Sequence, residues 1–477
     1  MPRKKNVVME VPAALEETVR RLMKLEERNE RMAKGEEPVN WRSLSGELEA
    51  AMREGEAQVA RRWLQSYDER RKAITVDGKK YRRVGRHEGT YYTKAGPVTV
   101  MRTLYRDAAV RNDKTVDAIS LKLGCIEDGW LPEAAETMAY LLQNSPGTEA
   151  EKLAKKMGRL PYSASSFKRV GTAVGELFEA QRSEVEDALI AESVIPDKVR
   201  SLTVSLDRVA LPMEEEVPRK PGRPKKDAPK KSIARVFHMA WVGTVTFTDA
   251  EGEAVHTIRY GEVPTKKPET PEKLLESMVG DVRVLLAKRP RLRVMVVSDG
   301  AQDVVDLLDE RFTEKALGAA VMRLVDFWHV IEKLGKAASV IYGGEGGSSR
   351  LGQWKLRLLN NRNARGQILR ELYDSGREWV SVGEKSCPVH EAITYLTNQA
   401  DRMNYVDART AGLAIGSGNV EASCKSLVQL RMCRSGARWK PDGAQAMLSM
   451  RALALSDRWD PALHLTLEPL RHDVRAA

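Results

Sequence analysis

Between residues 201 and 211 apolar and polar side chains alternate, with Leu202, Val204 and Leu206 set against Thr203, Ser205 and Asp207. This is the period of two expected of a strand with one face in a core. The same reading predicts a long strand or pair of strands over 233–247 and another over 254–260, an antiparallel meander. A helical pattern over 271–288 follows, then a strand at 292–297, a helix at 301–311 and a strand at 319–325. The last two strands are mostly apolar runs, as in parallel strands buried on both faces. Three antiparallel strands followed by alternating helices and strands predict a mixed α/β domain.

The flanking regions read differently. Over 13–71, Leu15, Val19, Leu22 and Leu25 recur at helical spacing among Glu and Arg, which predicts two or three solvated helices. One of them is either packed on the surface or used for dimerisation, and the pattern is too short for a sustained coiled coil. Over 79–105 the pattern is β, with Gly89 and Gly96-Pro97 as turns. Lys79, Lys80, Arg82, Arg83 and Arg86 interleave there with Tyr81, Tyr91 and Tyr92. Either this hairpin platform contacts phosphates or its charges protect a strand edge. Helices are predicted at 133–142, 148–157 and 165–182, the last two joined by a turn at 158–163. With Ser163 or Ser165 as cap this is the arrangement of a helix-turn-helix, and it places Ser166, Lys168 and Arg169 where bases and phosphates are reached. Two merely packed helices give the same pattern. Over 330–415 the chain reads as helices at 330–340, 351–360, 366–377 and 388–403, with a glycine loop at 343–348. No Gly-Lys-Ser/Thr follows those glycines, so they are not a nucleotide-binding P-loop. Arg357, Arg362, Arg365 and Arg370 make the region basic.

Charge narrows the partners. The 477 residues are 42% apolar, enough for a sizeable core, and 78 Lys plus Arg against 67 Asp plus Glu leave a net charge of +11. A polyanionic partner is implied: DNA, RNA or an acidic membrane surface. No apolar run approaches the roughly 18–20 residues of a membrane span. The opening Met-Pro-Arg-Lys-Lys leads to Glu10, Glu16 and Glu17 rather than an apolar stretch, so a cytoplasmic protein is expected. Cys125, Cys387, Cys424 and Cys433 form no C-x-x-C pair, which argues against a zinc ribbon, a redox motif or a disulfide framework. The strip 218–226 contains Arg219, Lys220, Arg223, Lys225 and Lys226 around a Gly-Arg-Pro centre. Proline and glycine keep it extended, like an AT-hook whose Arg223 reads a narrow A·T-rich minor groove. A basic loop without sequence preference is the other reading.

Two carboxylates stand at strand ends. Asp207 is on the first strand of the mixed domain and Asp299 ends the fourth. In a ribonuclease H-like order of elements the first and fourth strands are neighbours, so the two converge. Two Mg²⁺ ions roughly 3.5–4 Å apart need a third hard oxygen ligand. Glu421 is the candidate, in Gly416-Ser417-Gly418-Asn419-Val420-Glu421, with Asn419 expected to cap its helix. Lys425 lies one turn later, either against a DNA phosphate or as a surface partner of Glu421.

Taken together, Ser-Leu-Asp207, Ser-Asp299-Gly-Ala-Gln, Asp326-Phe-Trp-His329, Gly-Ser-Gly-x-Val-Glu421-x-x-x-Lys425, Arg431-Met432 and Gly436-x-x-Trp439 resemble a bacterial insertion-sequence transposase of the DDE class. The ISKra group, related to Mutator-like transposases, is most similar, over nearly the whole chain. The resemblance implies a ribonuclease H-like catalytic core with an all-helical insertion, preceded by an N-terminal helical and helix-turn-helix DNA-binding region. Its implied parts are a charged helical region at 1–75, the hairpin platform and helix-turn-helix at 76–195, the first part of the core at 196–329 with the AT-hook-like loop 218–231, the insertion at 330–415, and the rest of the core with C-terminal helices at 416–477. Asp207, Asp299 and Glu421 would be catalytic and hold two Mg²⁺ or Mn²⁺ ions, Asp326 and His329 would match a family signature, and Lys425 and Arg431 would contact DNA. The implied partner is double-stranded DNA, as transposon terminal repeats and target, bound by a homodimer away from any membrane. Some relatives carry cysteine pairs near the N-terminal hairpins, and this chain has none. A non-catalytic DNA-binding regulator and a ribonuclease H-like nuclease without strand transfer are the competing readings.

Overall fold

The computed structural model describes residues 11–110, 113–216, 233–263, 270–376 and 387–477. The AT-hook-like loop 218–231, with Arg219, Lys220, Arg223, Lys225 and Lys226, lies outside the described residues. The strands are β1 (Ala73–Val76), β2 (Lys79–Thr93), β3 (Gly96–Asp107), β4 (Val116–Asp117), β5 (Ser201–Glu216), β6 (Ile233–Thr248), β7 (Ala254–Glu262), β8 (Arg293–Ser298), β9 (Val321–Val325) and β10 (Val474–Ala476). They form two sheets among many helices, a mixed architecture. The chain divides into two compact units, one running to Ala180 and including Leu463–Ala477, the other spanning Gln181–Ala462. No described helix is long and apolar enough to cross a membrane.

In the first unit, helices Glu16–Ala33 and Trp41–Ser66 pack through Leu25, Leu44 and Ala51. Asn40 caps the second by accepting from the Ser43 amide at 3.1 Å. The sheet order is β10-β1-β2-β3-β4, so the C-terminal strand closes the edge beside β1. The β2–β3 hairpin turns just before Gly96 as expected, but Gly89, expected as a turn, lies inside β2 opposite Val100, where a Cβ would collide with the Arg102 side chain, and the tyrosines are not a phosphate-facing set. Tyr91 is buried and donates to Asp117 at 2.6 Å, while Tyr92 stacks on Trp130 with ring centres 4.3 Å apart. Alternation along a strand sends neighbouring residues to opposite faces, and here the aromatic residues serve the core. Helices Gly147–Lys156 and Ala164–Ala180 follow, the second buried through Phe167, Val170, Val174 and Phe178. Ser163 caps it, its hydroxyl accepting from the Ser166 amide at 3.3 Å.

The second unit is built on a sheet of order β7-β6-β5-β8-β9. β5 and β6 pair without a break from Ser201↔Thr248 to Glu216↔Ile233, so β5 runs five residues beyond its predicted end while β6 matches the strand expected over 233–247. β8 joins β5 and β9 joins β8, both in parallel. Helix Glu272–Lys288 covers one face through Leu274, Leu275, Met278, Val282 and Leu285. Within that core the Tyr260 hydroxyl donates to Asp281 at 2.6 Å, and Arg458 lies 3.3 Å from the same carboxylate. Burial pushes the Asp281 carboxyl up to about 6, against the pull of Arg458 and Tyr260. After β9 come helices Phe327–Tyr342, Gly344–Asn360, Ala364–Ser375 and Pro388–Asn398, which share a core with the β8–β9 end of the sheet.

The glycine loop expected at 343–348 is not a loop. Only Gly343, at φ 73°, breaks the chain, and Gly344 already starts the next helix. A Cβ on Gly347 would come within 3.0 Å of the Ala338 carbonyl oxygen, so these glycines allow two helices to approach closely.

Candidate active site

The parallel register brings the two aspartates together. Val204 of β5 is opposite Val296 of β8. Asp207 and Asp299 each lie three residues further on, side by side, Asp207 inside β5 just past the stretch that pairs with β8 and Asp299 just past the carboxyl end of β8. Ser298 is opposite Val325 of β9, so Asp326 is next in the row, its amide donating to the Ser298 carbonyl at 2.7 Å. Ligands and substrates bind at the carboxyl ends of parallel strands because the loops there are free to carry polar groups.

Asp207 is half-buried. One carboxylate oxygen accepts from the Arg208 amide at 2.6 Å, and the other takes the Cys424 thiol at 3.5 Å. Burial pushes this carboxyl above its ordinary value and the charge of Asp299 adds to the effect. Arg208 turns to the other side of β5, lying 5.2 Å from the Trp241 ring and 2.5 Å from Asp303.

The Asp299 turn is held by the helical insertion. The Tyr395 hydroxyl donates to the Asp299 carbonyl at 2.6 Å, and Gln399 donates to the Gly300 carbonyl at 3.1 Å. Asp299 itself accepts from the Ala301 amide at 2.9 Å.

Asp326 is a structural clasp. One oxygen caps helix Phe327–Tyr342 by accepting from the Trp328 and His329 amides at 2.6 and 3.1 Å. The other accepts from the Ser417 amide and from its hydroxyl. Burial opposes ionisation, but hydrogen bonds from His329 and Ser417 outweigh it and hold the carboxyl at about 2. The His329 imidazole, 3.6 Å from Asp326, is raised above its usual value by that carboxylate, with Asp299 contributing.

Glu421 lies in helix Gly418–Ser423, which runs on as a π-helical turn over Cys424–Gln429. Ser417, not Asn419, is the cap residue. Its carbonyl accepts from the Val420 amide at 2.9 Å, and Asn419 is already inside the first turn. Val420 and Leu427 are buried as expected, whereas the Glu421 side chain is exposed. It stands three residues before Cys424, hence one turn along the helix face that meets Asp207. Burial and the nearby Asp207 charge push the Cys424 thiol up, and Glu421 adds to this.

The described residues therefore join Asp207 to Asp299 and Cys424, and Asp326 to His329 and Ser417. Among them, no group of three or more His, Cys, Asp or Glu side chains is arranged to hold a metal ion. The paired aspartates still suit a divalent cation, since they offer hard oxygen donors whose mutual repulsion such a charge would relieve. Of the DNA-contact candidates, Lys168, Arg169 and Lys425 are exposed, and Arg169 is ion-paired with Glu127. Arg431 is buried, 5.4 Å from the Trp439 ring, which removes it from a surface open to DNA. Tyr395, Gln399 and Cys424 were not foreseen as site residues, and no local motif marks them. Ser417 carries no sequence signal beyond its place between Gly416 and Gly418.

No protein-family model and no curated protein matches the chain. Among solved structures it is similar to the Drosophila P element transposase strand transfer complex, at 14% identity over 72% of this chain and 83% of that one, with a TM-score of 0.26. It is also similar to the Mos1 transposase paired-end complex with left transposon end, at 14% identity, 58% and 78% coverage and a TM-score of 0.15. A pre-cleavage Mos1 transpososome gives 12%, 58% and 78%, with a TM-score of 0.13.

Proposed function

We propose that this chain is a DNA transposase of the DDE class with a ribonuclease H-like core. The observation that carries the reading is the juxtaposition of Asp207, where β5 leaves its parallel pairing with β8, and Asp299, just past the end of β8, in a sheet of order β7-β6-β5-β8-β9. Burial raises the Asp207 carboxyl above its ordinary value and the Asp299 charge adds to it, as expected where two carboxylates share a site.

Asp207 and Asp299 would hold Mg²⁺ or Mn²⁺, with phosphate oxygens and water as further ligands and Glu421 as the third carboxylate. Such ions, when bound, lower the pKa of an attacking hydroxyl and stabilise charge on the phosphate. The chain's own groups do the rest. Arg208 fixes the backbone beside Asp207, Tyr395 and Gln399 fix the turn at Asp299, and the Asp326–Ser417 clasp anchors the helix that carries Glu421. Lys425 is exposed on that helix for a phosphate, and Lys168 and Arg169 start a helix suited to a groove. Water first attacks a phosphodiester at the element's end. The freed 3′-hydroxyl then attacks target DNA, so one bond is broken for each bond formed.

The test incubates the full chain with Mg²⁺ and DNA flanking its own coding region and maps the ends. Cleavage at fixed ends followed by joining to a second DNA is expected. Binding without cleavage would make the protein a regulator, and cleavage without joining would make it a nuclease.

A further inference from the structure

The first unit carries a basic sheet face, well apart in sequence from the aspartates. Ile74, Val76, Tyr81 and Tyr105 turn one face of β1–β3 into a small core. The alternate residues Thr75, Lys80, Arg82 and Arg106 belong to the opposite face. The register sets Arg82 directly across from Arg106 on one side and Ala73 on the other. Lys80 pairs with Thr75, and Thr75 with Arg475 of β10. Four cations from three strands therefore share one face, with only Ala73 and Thr75 between them.

Like charges directly opposite in a sheet are destabilising unless something offsets them. Among the described residues, Lys80, Arg82 and Arg106 have no ion-pair partner, and the Arg106 Nε is buried with no hydrogen-bond partner. Arg475 alone is paired, with Asp473 at 2.6 Å. We propose that this face, Lys80, Arg82, Arg106 and Arg475, is a docking surface for the sugar–phosphate backbone of duplex DNA. The charge pattern selects the occupant. Arginine forks match phosphate oxygens, and the small Ala73 and Thr75 leave room for a wide rod to settle on the sheet. The residues that define the face, Lys80, Arg82, Arg106 and Arg475 with Ala73 and Thr75, include no large apolar side chain to anchor in a membrane. The assignment rests on the reading of the chain as a DNA-acting protein and adds a contact surface to it.

The test measures binding of the full-length protein to a fluorescein-labelled duplex of mixed sequence, without divalent metal, between 50 and 200 mM salt. Arg82→Gln combined with Arg106→Gln should reduce the log–log salt slope by about 1.8, so that the loss of affinity over that range shrinks by about twelvefold. Arg82→Lys with Arg106→Lys should keep most of the slope, and an unchanged near-ultraviolet circular dichroism spectrum reports the fold. Lys273→Gln with Lys315→Gln removes the same charge from exposed positions elsewhere and should leave the slope unchanged. A wild-type slope in the Arg82/Arg106 glutamine variant overturns the proposal, as does an equal loss in the Lys273/Lys315 control. An effect confined to duplex RNA or to polyglutamate overturns the occupant. Because no cleavage is scored, the expected slope change in a chain that never cuts DNA keeps the surface and rejects the transposase. An unchanged slope beside metal-dependent cleavage rejects the surface alone.

Discussion

The Ser417 hydroxyl donates a 2.6 Å hydrogen bond to the Asp326 carboxylate across 91 positions of sequence. These two residues stand at the start and the end of the helical insertion. The Phe327 amide adds a second tie, to the Ile415 carbonyl at 3.0 Å. The insertion is thus closed at its base, and the helix bearing Glu421 begins from a point fixed to the end of β9. A closed base lets the inserted helices reach back to the Asp299 turn without loosening the sheet.

Asp326→Asn should weaken this closure. The amide keeps one acceptor but turns its NH₂ group towards a donor, at a cost of about 3 kcal/mol. The wild-type carboxyl lies at about 2 against an ordinary 3.8, worth about 2 kcal/mol of stability. A depressed folded value means that this contribution is full above about pH 4 and is lost as pH falls through about 2. Urea unfolding at stepped pH should show that loss in the wild type and not in Asp326→Asn. Equal acid sensitivity in both would remove Asp326 from the account.

Asp207→Asn and Asp299→Asn should each lower metal-dependent cleavage by more than about a hundredfold while changing DNA binding by less than about threefold, since each removes a ligand charge at nearly constant volume. Glu421→Gln should do the same if its exposed carboxylate joins the pair when DNA is bound. Normal cleavage by Glu421→Gln would leave a two-aspartate site, and the assay is gel-resolved cutting across a Mg²⁺ titration.

Gly300 is the tightest point beside the site. Its φ is 86°, and a Cβ there would meet the Tyr395 hydroxyl at 2.9 Å and Val325 Cγ2 at 3.0 Å. Gly300→Ala should therefore cost about 1–3 kcal/mol and displace Asp299. Tyr395→Phe removes only the 2.6 Å hydrogen bond to the Asp299 carbonyl, about 1 kcal/mol. It should raise the Mg²⁺ concentration needed for cleavage and leave DNA affinity unchanged. An unaltered metal requirement in Tyr395→Phe would make that hydrogen bond irrelevant to the site.

The strands that carry Asp207 and Asp299 were legible because alternation and apolar runs are local signals. Their neighbourhood followed from strand order alone. The end of β5 beyond Leu211 is not legible, since Glu214, Glu215 and Glu216 erase the alternation although their backbone pairing continues to Glu216↔Ile233. Gly344–Gly347 read as a loop because glycine is a poor helix former, and the demand for close helix packing comes only from a partner helix. Asn419 and Ser417 are equally good caps by type, and Ser417 holds the position through Asp326, a contact no window of sequence contains. The pairing of β10 with β1 is equally non-local.

The π-helical turn that presents Cys424 to Asp207 depends on a buried arginine. Arg451 donates to the Leu427 carbonyl at 2.7 Å and also to the Ser426 carbonyl, so its fork satisfies acceptors in that wider turn. Burial, with help from Arg431 and Arg434, pulls the Arg451 guanidinium down to about 10, still charged at neutral pH. Arg451→Met would fill similar space but orphan these carbonyls, at about 3 kcal/mol. Arg451→Lys, a single point donor, should recover part of that cost. Cys424 gives a direct reading of the turn, because its thiol is buried and held above the usual range. Reaction with a thiol reagent at neutral pH, corrected by the Cys424→Ser background, should be slow in the wild type, intermediate in Arg451→Lys and fastest in Arg451→Met. Equal rates in all three would show that the turn, and with it the approach of Cys424 to Asp207, holds without Arg451.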